Sequence, residues 1–444
     1  MSARSAAAVA VLVLATALVP FRPAAAEPNP VTPGNFRGFG FDQCLAPTQR
    51  AMDTWLNHSP FLSVGIYISG NSRACRSQPN LTPRWISTQL RKGWRLLPIT
   101  LGPQASCSDR FPRYGDDPVI IDRPGPNGRF PAARRQGRAE AAKAVEAAKA
   151  LGIVPRSTLW YDLEAFDHTN RRCRESALYF LSAWTNKLHD LKYVSGVYSS
   201  AGSGIKVLDD ARVQRPGAFT LPDMIWIARW DGKANTSTSY IRNDGWRPGG
   251  RVKQYEGGHD ETWGGVTINI DRNFLNVGRG SFAAPEEHCG GVNLSFRRFP
   301  ALRVPNGDYA PRVKKVRALQ CLLQERGLYG GKLSGSYNAG TVAAVREWQE
   351  SRGFAVRTTW SPANWVGAFA QGRDYAQKVG SAGWHVRRVQ RALNAADPTL
   401  RRQVNGIFRR TTAADVRAYQ RRVGLRATGI VNERTWSRLR AGRG

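Results

Sequence analysis

Between residues 36 and 271 the chain repeats one pattern: a short run rich in β-branched and aromatic residues, then a longer amphipathic or Ala-rich stretch. The short runs are FRGFGFD (36–42), SVGIYIS (63–69), WRLLPITL (94–101), STLWYDLE (157–164), YVSGVYS (193–199), DMIWIAR (223–229), RVKQYE (251–256) and GVTINID (265–271). The spacing predicts helices over residues 47–56, 82–92, 131–151, 172–191 and 205–213, and loops in the last two connections. Eight strands interleaved with helices point to the α/β class and to a (β/α)8 TIM-like barrel over residues 36–283. An open doubly wound sheet is the alternative. It is disfavoured because no G-x-G-x-x-G follows the first strand and polar residues sit at nearly every strand end.

Barrels of this kind collect functional groups at the C-terminal ends of their strands. Read that way, Asp42 ends the first strand and Tyr67 and Ser69 lie near the end of the second. Gln104 follows the third, and Asp162 and Glu164 end the fourth. Tyr198 comes from the fifth, Arg229 and Trp230 from the sixth, and Gln254 and Tyr255 from the seventh; Asp271 ends the eighth. Carboxylates crowded at one rim raise one another's pKa, so one becomes a proton donor near neutral pH. Glycoside hydrolysis needs such a donor beside a second carboxylate that activates water or stabilises a positive sugar. Asp162 and Glu164, two residues apart on a strand, point to the same side. The candidate catalytic set is therefore Glu164, Asp162, Asp271 and Asp42. Tyr67, Gln104, Tyr198, Arg229, Trp230, Gln254 and Tyr255 are the candidate substrate contacts. Any one of these carboxylates alone reads better as a helix cap or a surface ion pair, with Arg229 a ready partner for Asp271. The conjunction of four strand ends carries the inference.

The N-terminus supplies Arg4, an apolar run over residues 6–19 and the small-residue site Ala24-Ala25-Ala26. That order predicts a secretory signal peptide over residues 1–26, cleaved before Glu27. No later segment reaches the roughly 20 apolar residues of a membrane span, so a secreted or wall-associated monomer without stable membrane insertion is expected. A formal net charge of +32 favours polyanionic partners. Export directs that charge toward the cell envelope rather than nucleic acid. Six cysteines, Cys44, Cys75, Cys107, Cys173, Cys289 and Cys321, read as three disulfides in an exported chain. Loop proximity suggests Cys75–Cys107, Cys44–Cys173 and Cys289–Cys321, although four barrel cysteines allow three connectivities. With six His and no H-E-x-x-H or C-x-x-C spacing, no metal and no cofactor are expected.

The composition changes near residue 283. Residues 284–444 hold 29 of the 65 basic residues but 10 of the 33 acidic ones. After a linker over residues 284–300 comes an internal repeat. Val316, Leu319 and Leu323 correspond to Val386, Val389 and Leu393, one face of a helix. Thr341, Val345, Trp348 and Gln349 correspond to Thr412, Val416, Tyr419 and Gln420, and a third short helix follows around Trp365 and Trp436. Two small all-α, three-helix units are expected, over residues 301–372 and 380–442.

GFDQC (40–44), LWYDLEAF (159–166), GVYSS (196–200), IWIARW (225–230), KQYEG (253–257) and INIDRNF (268–274) resemble an actinobacterial exported glycoside hydrolase-like domain. That domain is similar to the family 25 lysozymes, which cleave the glycan strands of peptidoglycan. The resemblance covers residues 36–280 and implies that Asp42 in Gly40-Phe41-Asp42, Asp162-Leu163-Glu164 and Asp271 form the site. Glu164 would be the acid, Asp162 and Asp271 would position water or stabilise charge, and Asp42 would orient the sugar or tune Glu164. Cys44 and the cysteine-bearing loops depart from the lysozymes. The repeats resemble three-helix peptidoglycan-binding domains. The second keeps Gly406, Phe408, Gly429, Val431, Thr435, Trp436 and Leu439, while the first has Asn364 where Thr is usual. The resemblance implies a secreted cell-wall glycan hydrolase held on peptidoglycan or another anionic wall polymer. The alternative is a non-catalytic peptidoglycan-binding protein with a pseudo-enzyme barrel.

Overall fold

A computed structural model describes residues 28–444. The expected signal peptide lies outside the described residues. Eight strands close into a barrel in chain order: β1 (Phe36–Asp42), β2 (Ser63–Ser69), β3 (Arg95–Thr100), β4 (Thr158–Asp162), β5 (Val194–Ser200), β6 (Met224–Ala228), β7 (Gly250–Trp263) and β8 (Val266–Val277). The helices α1 (Gln49–His58), α2 (Pro83–Arg91), α3 (Pro131–Ala150), α4 (Arg171–Asp190) and α5 (Gly204–Gln214) follow the first five strands. Side chains of Thr48, Thr82 and Asn170 cap α1, α2 and α4, satisfying backbone N–H groups that the first turn leaves free. No described helix is long and apolar enough to cross a membrane.

The strands β1 to β7 run parallel, but β8 runs antiparallel to both β7 and β1. Both strands of this hairpin are longer than the sequence reading, which ended them at residues 256 and 271. Gly264 and Gly265 form the two-residue turn, with φ of +59° and +80°, the backbone that a tight hairpin requires. Asp271 therefore does not end its strand. The chain comes back from an overhanging hairpin and passes the barrel rim in mid-strand, where Asp271 pairs with Asp42 across the β8–β1 ladder.

Trp160 and Trp226 meet edge to face inside the barrel, their rings 5.6 Å apart. A Cβ on Gly196 would lie 2.4 Å from the Trp160 ring, so this strand position must be bare. The barrel disulfides are Cys44–Cys75 and Cys107–Cys173, correcting both expected barrel pairings; Cys289–Cys321 is as expected. Each barrel disulfide joins neighbours in the ring, linking the segments after β1 and β2 and those after β3 and β4. A Cys44–Cys173 bond would instead have to reach from the end of β1 to the start of α4.

Six further helices make two similar units: α6 (Val313–Gln324), α7 (Ala339–Ser351) and α8 (Pro362–Phe369), then α9 (Trp384–Ala396), α10 (Arg410–Arg422) and α11 (Glu433–Arg440). One continuous apolar core runs through both, and Leu294 and Phe299 of the preceding segment are buried in it. Most of the shared sequence pattern is structural. Gln420 takes the Gly429 N–H on its carbonyl and donates to the Ile430 carbonyl and the Thr435 hydroxyl. In the first unit Gln349 donates to the Thr359 carbonyl and to Asn364 Oδ1, so Asn364 fills the place of the missing Thr.

On the outer face of β1, β7 and β8, α1 packs through Trp55 against Phe41 and Val266, and the second unit covers the face beside it, with Arg410 over the rings of Phe39 and Phe274. Lys378 is buried and donates to the carbonyls of Trp55, Ser59 and Phe61, at 3.3, 2.8 and 3.0 Å. These acceptors lie at and just beyond the C-terminus of α1, where a positive charge is favoured. A Cβ on Gly38 would come within 3.1 Å of the Val379 carbonyl, and one on Gly380 within 2.4 Å of the Phe36 ring. The two glycines let the segments touch backbone to ring.

Candidate active site

The barrel rim brings the four carboxylates together. Two cavities of about 210 Å³ each open there, and Asp42, Tyr67, Glu164 and Asp271 line both. One lobe continues past Arg73, Arg113 and the Cys44–Cys75 disulfide. The other continues over Asp162, Tyr198, Trp226, Trp230 and Gln254. The shared residues form a waist between the lobes.

Asp42 accepts from the amides of Asn273 and Gln254. Burial pushes its carboxyl well above the usual range, the charge of Asp271 adds to this, and the two amides pull the other way. Asp271 is raised to about 6, chiefly by burial, with its hydrogen bond to Asp42 opposing. The pair behaves as two like charges sharing a small volume, one of which tends to keep a proton. Asp162 is also raised by burial and by the charge of Glu164, against a hydrogen bond from the Tyr67 hydroxyl at 3.2 Å. Burial raises Tyr67 and Tyr198 well above the usual tyrosine value, with Asp162 adding to both. Both therefore remain neutral O–H donors.

Glu164 stands just beyond β4. Its backbone N–H is held by Gln104 Oε1 at 2.8 Å, while Gln104 Nε2 donates to the Asp162 carbonyl, also at 2.8 Å. Gln104 is thus fully buried and spends its amide on the backbone of the Asp162–Glu164 segment. It positions that segment and does not face a substrate, which corrects its place among the contact candidates. Glu164 Oε2 accepts from Arg110 at 3.2 Å, and Arg113 lies 3.7 Å from Oε1.

Two more candidates sit elsewhere. Period-two alternation turns Gln254 inward and Tyr255 outward, and Tyr255 lines a cavity on the barrel's outer side. Arg229 lies just past β6, exposed, over the ring of Tyr240, and lines neither lobe. It makes no ion pair with Asp271. Trp230 does reach the site: it is 64% exposed, and its indole N–H donates to Gln254 Oε1 at 2.9 Å. The same oxygen accepts from the Tyr198 hydroxyl at 3.0 Å. Sequence reasoning missed Asn273, Arg73, Arg110 and Arg113. Asn273 was within reach, two residues past Asp271 and so on the same strand face. The arginines come from loops without a periodic pattern. As for metals, the one described cluster with ligand atoms close together is Cys289, Cys321 and Glu325. It spends both sulfurs in a disulfide.

Residues 53–275 match the family described as "Rv2525c-like, glycoside hydrolase-like domain". The chain belongs to this family. In addition to the glycoside hydrolase-like domain, residues 312–356 and 383–439 match "Putative peptidoglycan binding domain", one match per helical unit. No curated protein matches the chain. Among solved structures it is similar to the Tat-secreted protein Rv2525c of Mycobacterium tuberculosis in complex with L-tartrate, at 14% identity and TM-score 0.34, covering 54% of this chain and 95% of that one. It is similar to an uncharacterized B. stearothermophilus protein at 17% identity and TM-score 0.32, covering 53% and 95%. A family 25 glycosyl hydrolase from Bacillus anthracis is similar at 13% identity and TM-score 0.32, covering 58% and 96%. The glycoside hydrolase-like domain thus carries an acidic, two-lobed cleft and is joined to two peptidoglycan-binding matches.

Proposed function

We propose that the chain is a secreted cell-wall glycan hydrolase that cuts peptidoglycan strands and is held on the wall by its helical repeats. The carrying observation is the waist: Asp42, Glu164 and Asp271 line both lobes of one cleft. A glycan laid through it has one sugar in each lobe and its linking oxygen at the carboxylates. Trp230, exposed at the rim, offers a ring face to a sugar. Glu164, the carboxyl beyond the strand end, protonates the leaving oxygen. Asp271 and Asp162 stabilise the positive sugar or position water, the two roles that hydrolysis requires. Asp42 tunes Asp271 through their shared proton. The disulfides and the leader expected from the sequence support action outside the cytoplasm. Tethering raises the local concentration of substrate without adding any catalytic contact.

Incubation with purified sacculi, followed by mass spectrometry of soluble products, tests this reading. Glu164→Gln is expected to lower turnover by about 10²–10⁴-fold, the worth of a general acid, while sacculus binding persists. Equal product from wild type and variant, or none from either, overturns it. A second reading, a saccharide-binding barrel without turnover, is supported by the ion pairs of Arg110 and Arg113 with Glu164. Those pairs occupy the carboxylate that the hydrolase needs as its acid.

A further inference from the structure

A groove of about 1020 Å³, larger than either lobe of the acidic cleft, runs along the seam where the second helical unit packs on the barrel beside α1. Its charge is one-sided. Arg272, Lys378, Arg410, Arg417, Arg426 and Arg434 line it, and no Asp or Glu is among its lining residues. Lys378 is engaged by backbone carbonyls and Arg272 by Glu256 and Glu261. Arg417, Arg426 and Arg434 are exposed and have no carboxylate partner among the described residues. Their guanidinium groups border the open groove rather than a counter-charge.

His58 reports the resulting field. Its pKa is held below the usual histidine value by burial and then by Arg434, Lys378 and Arg426, so charges from the helical unit converge on the barrel wall opposite. A second cavity of about 660 Å³ shares Val379 and Arg410 with the groove and adds Arg37, Arg279 and Arg409, again with no carboxylate in its lining. The two form one track past Arg410. Its floor is partly apolar, with Phe39, Phe61 and Trp263. Forked guanidinium groups above aromatic rings suit a chain that alternates anionic groups with sugar or polyol units.

We propose that this seam is a second polymer-binding site, one that takes a linear polyanion with a sugar or polyol backbone, its charges being phosphate diesters or carboxylates. The choice of a wall polymer over nucleic acid rests on the wall-anchoring reading above. The site itself rests on the groove's own lining. The barrel and the helical unit each supply one wall, so neither part has the groove alone.

The test measures anisotropy of fluorescent poly(glycerol phosphate) and of polygalacturonate with the full mature chain. A groove variant, Arg417→Ala/Arg426→Ala/Arg434→Ala, is compared with Arg352→Ala/Arg357→Ala/Arg401→Ala. The control loses equal charge from exposed residues that line neither cavity. The groove variant is expected to bind one or both polymers at least tenfold more weakly than wild type. Its slope of log affinity against log salt should fall by about 2, at roughly 0.7 per lost contact on a single-stranded polyanion. The control should change less than twofold. The polymer bound more tightly names the charged group. Equal loss in both variants overturns the site, and tighter binding of a 20-nucleotide single-stranded DNA overturns its occupant. Sacculi stripped of anionic polymers separate this site from the hydrolase reading. There the groove variant should bind and turn over substrate like wild type, and a matching loss on stripped sacculi also overturns the proposal.

Discussion

Asp42 and Asp271 stand directly opposite one another in the antiparallel ladder that closes the barrel. Such a pair is destabilising once both members ionise. The folded Asp271 holds its proton up to about pH 6, whereas an unfolded Asp loses it near pH 4. Between those values the folded state binds more protons, so stability falls as pH rises through this window and stays lower above it. Asp271→Asn is therefore expected to stabilise the protein at pH 7.5 by on the order of 1 kcal/mol and to change little at pH 3.5. Thermal melts at the two pH values check this. An equal effect at both would show that burial does not hold a proton on Asp271 in this window.

Removing the guanidinium groups beside Glu164 separates latch from grip. If Arg110 and Arg113 only occupy the acid, Arg110→Ala/Arg113→Ala raises kcat on sacculi several-fold with KM unchanged. A higher KM with unchanged kcat would mean that the arginines hold the glycan.

Gly257 lies flat against Trp230, and a Cβ there would be 2.4 Å from the indole ring. In Gly257→Ala the ring must turn away and give up its hydrogen bond to Gln254. Affinity for soluble glycan fragments should fall about tenfold, the worth of one lost ring contact of about 1.4 kcal/mol. The melting temperature should move by less than about 2 °C. Titration calorimetry and a melt read the two effects separately.

The Gln420 clip is testable by Gln420→Leu. The change leaves the Gly429 N–H unpaired in a buried site and the Ile430 carbonyl with only the longer bond from the Thr435 hydroxyl, at a cost of about 2 kcal/mol. Denaturant unfolding of the full chain should show the second helical unit weakened, while the cleft keeps its glycan affinity.

The strands were legible because barrel strands are short apolar runs with polar ends, and Asp42, Asp162 and Glu164 because they lie at or just beyond those ends. The orientation of the last strand was not read, although Gly264-Gly265 between β-rich runs is itself a hairpin signal. The inward turn of Asp271 depends on pairing rather than on strand direction, so the residue was found while its place in the strand was mistaken. The disulfides were misassigned because ring adjacency alone does not say which of two neighbours a cysteine faces. Gln104 and Tyr255 were mistaken for contacts for a related reason. Polarity near a strand end marks the rim, but only alternation and burial decide which side of it a side chain serves. The arginines at Glu164 sit on a long loop, where no period exists to be read.

Lys378 fastens the second helical unit to the barrel through three carbonyls at the end of α1. A tool bolted to its clamp works at one stand-off. If the repeats hold the wall, the cleft meets glycan only at a fixed distance and angle from each point of attachment, and every new cut beyond that radius requires the whole molecule to let go and land again.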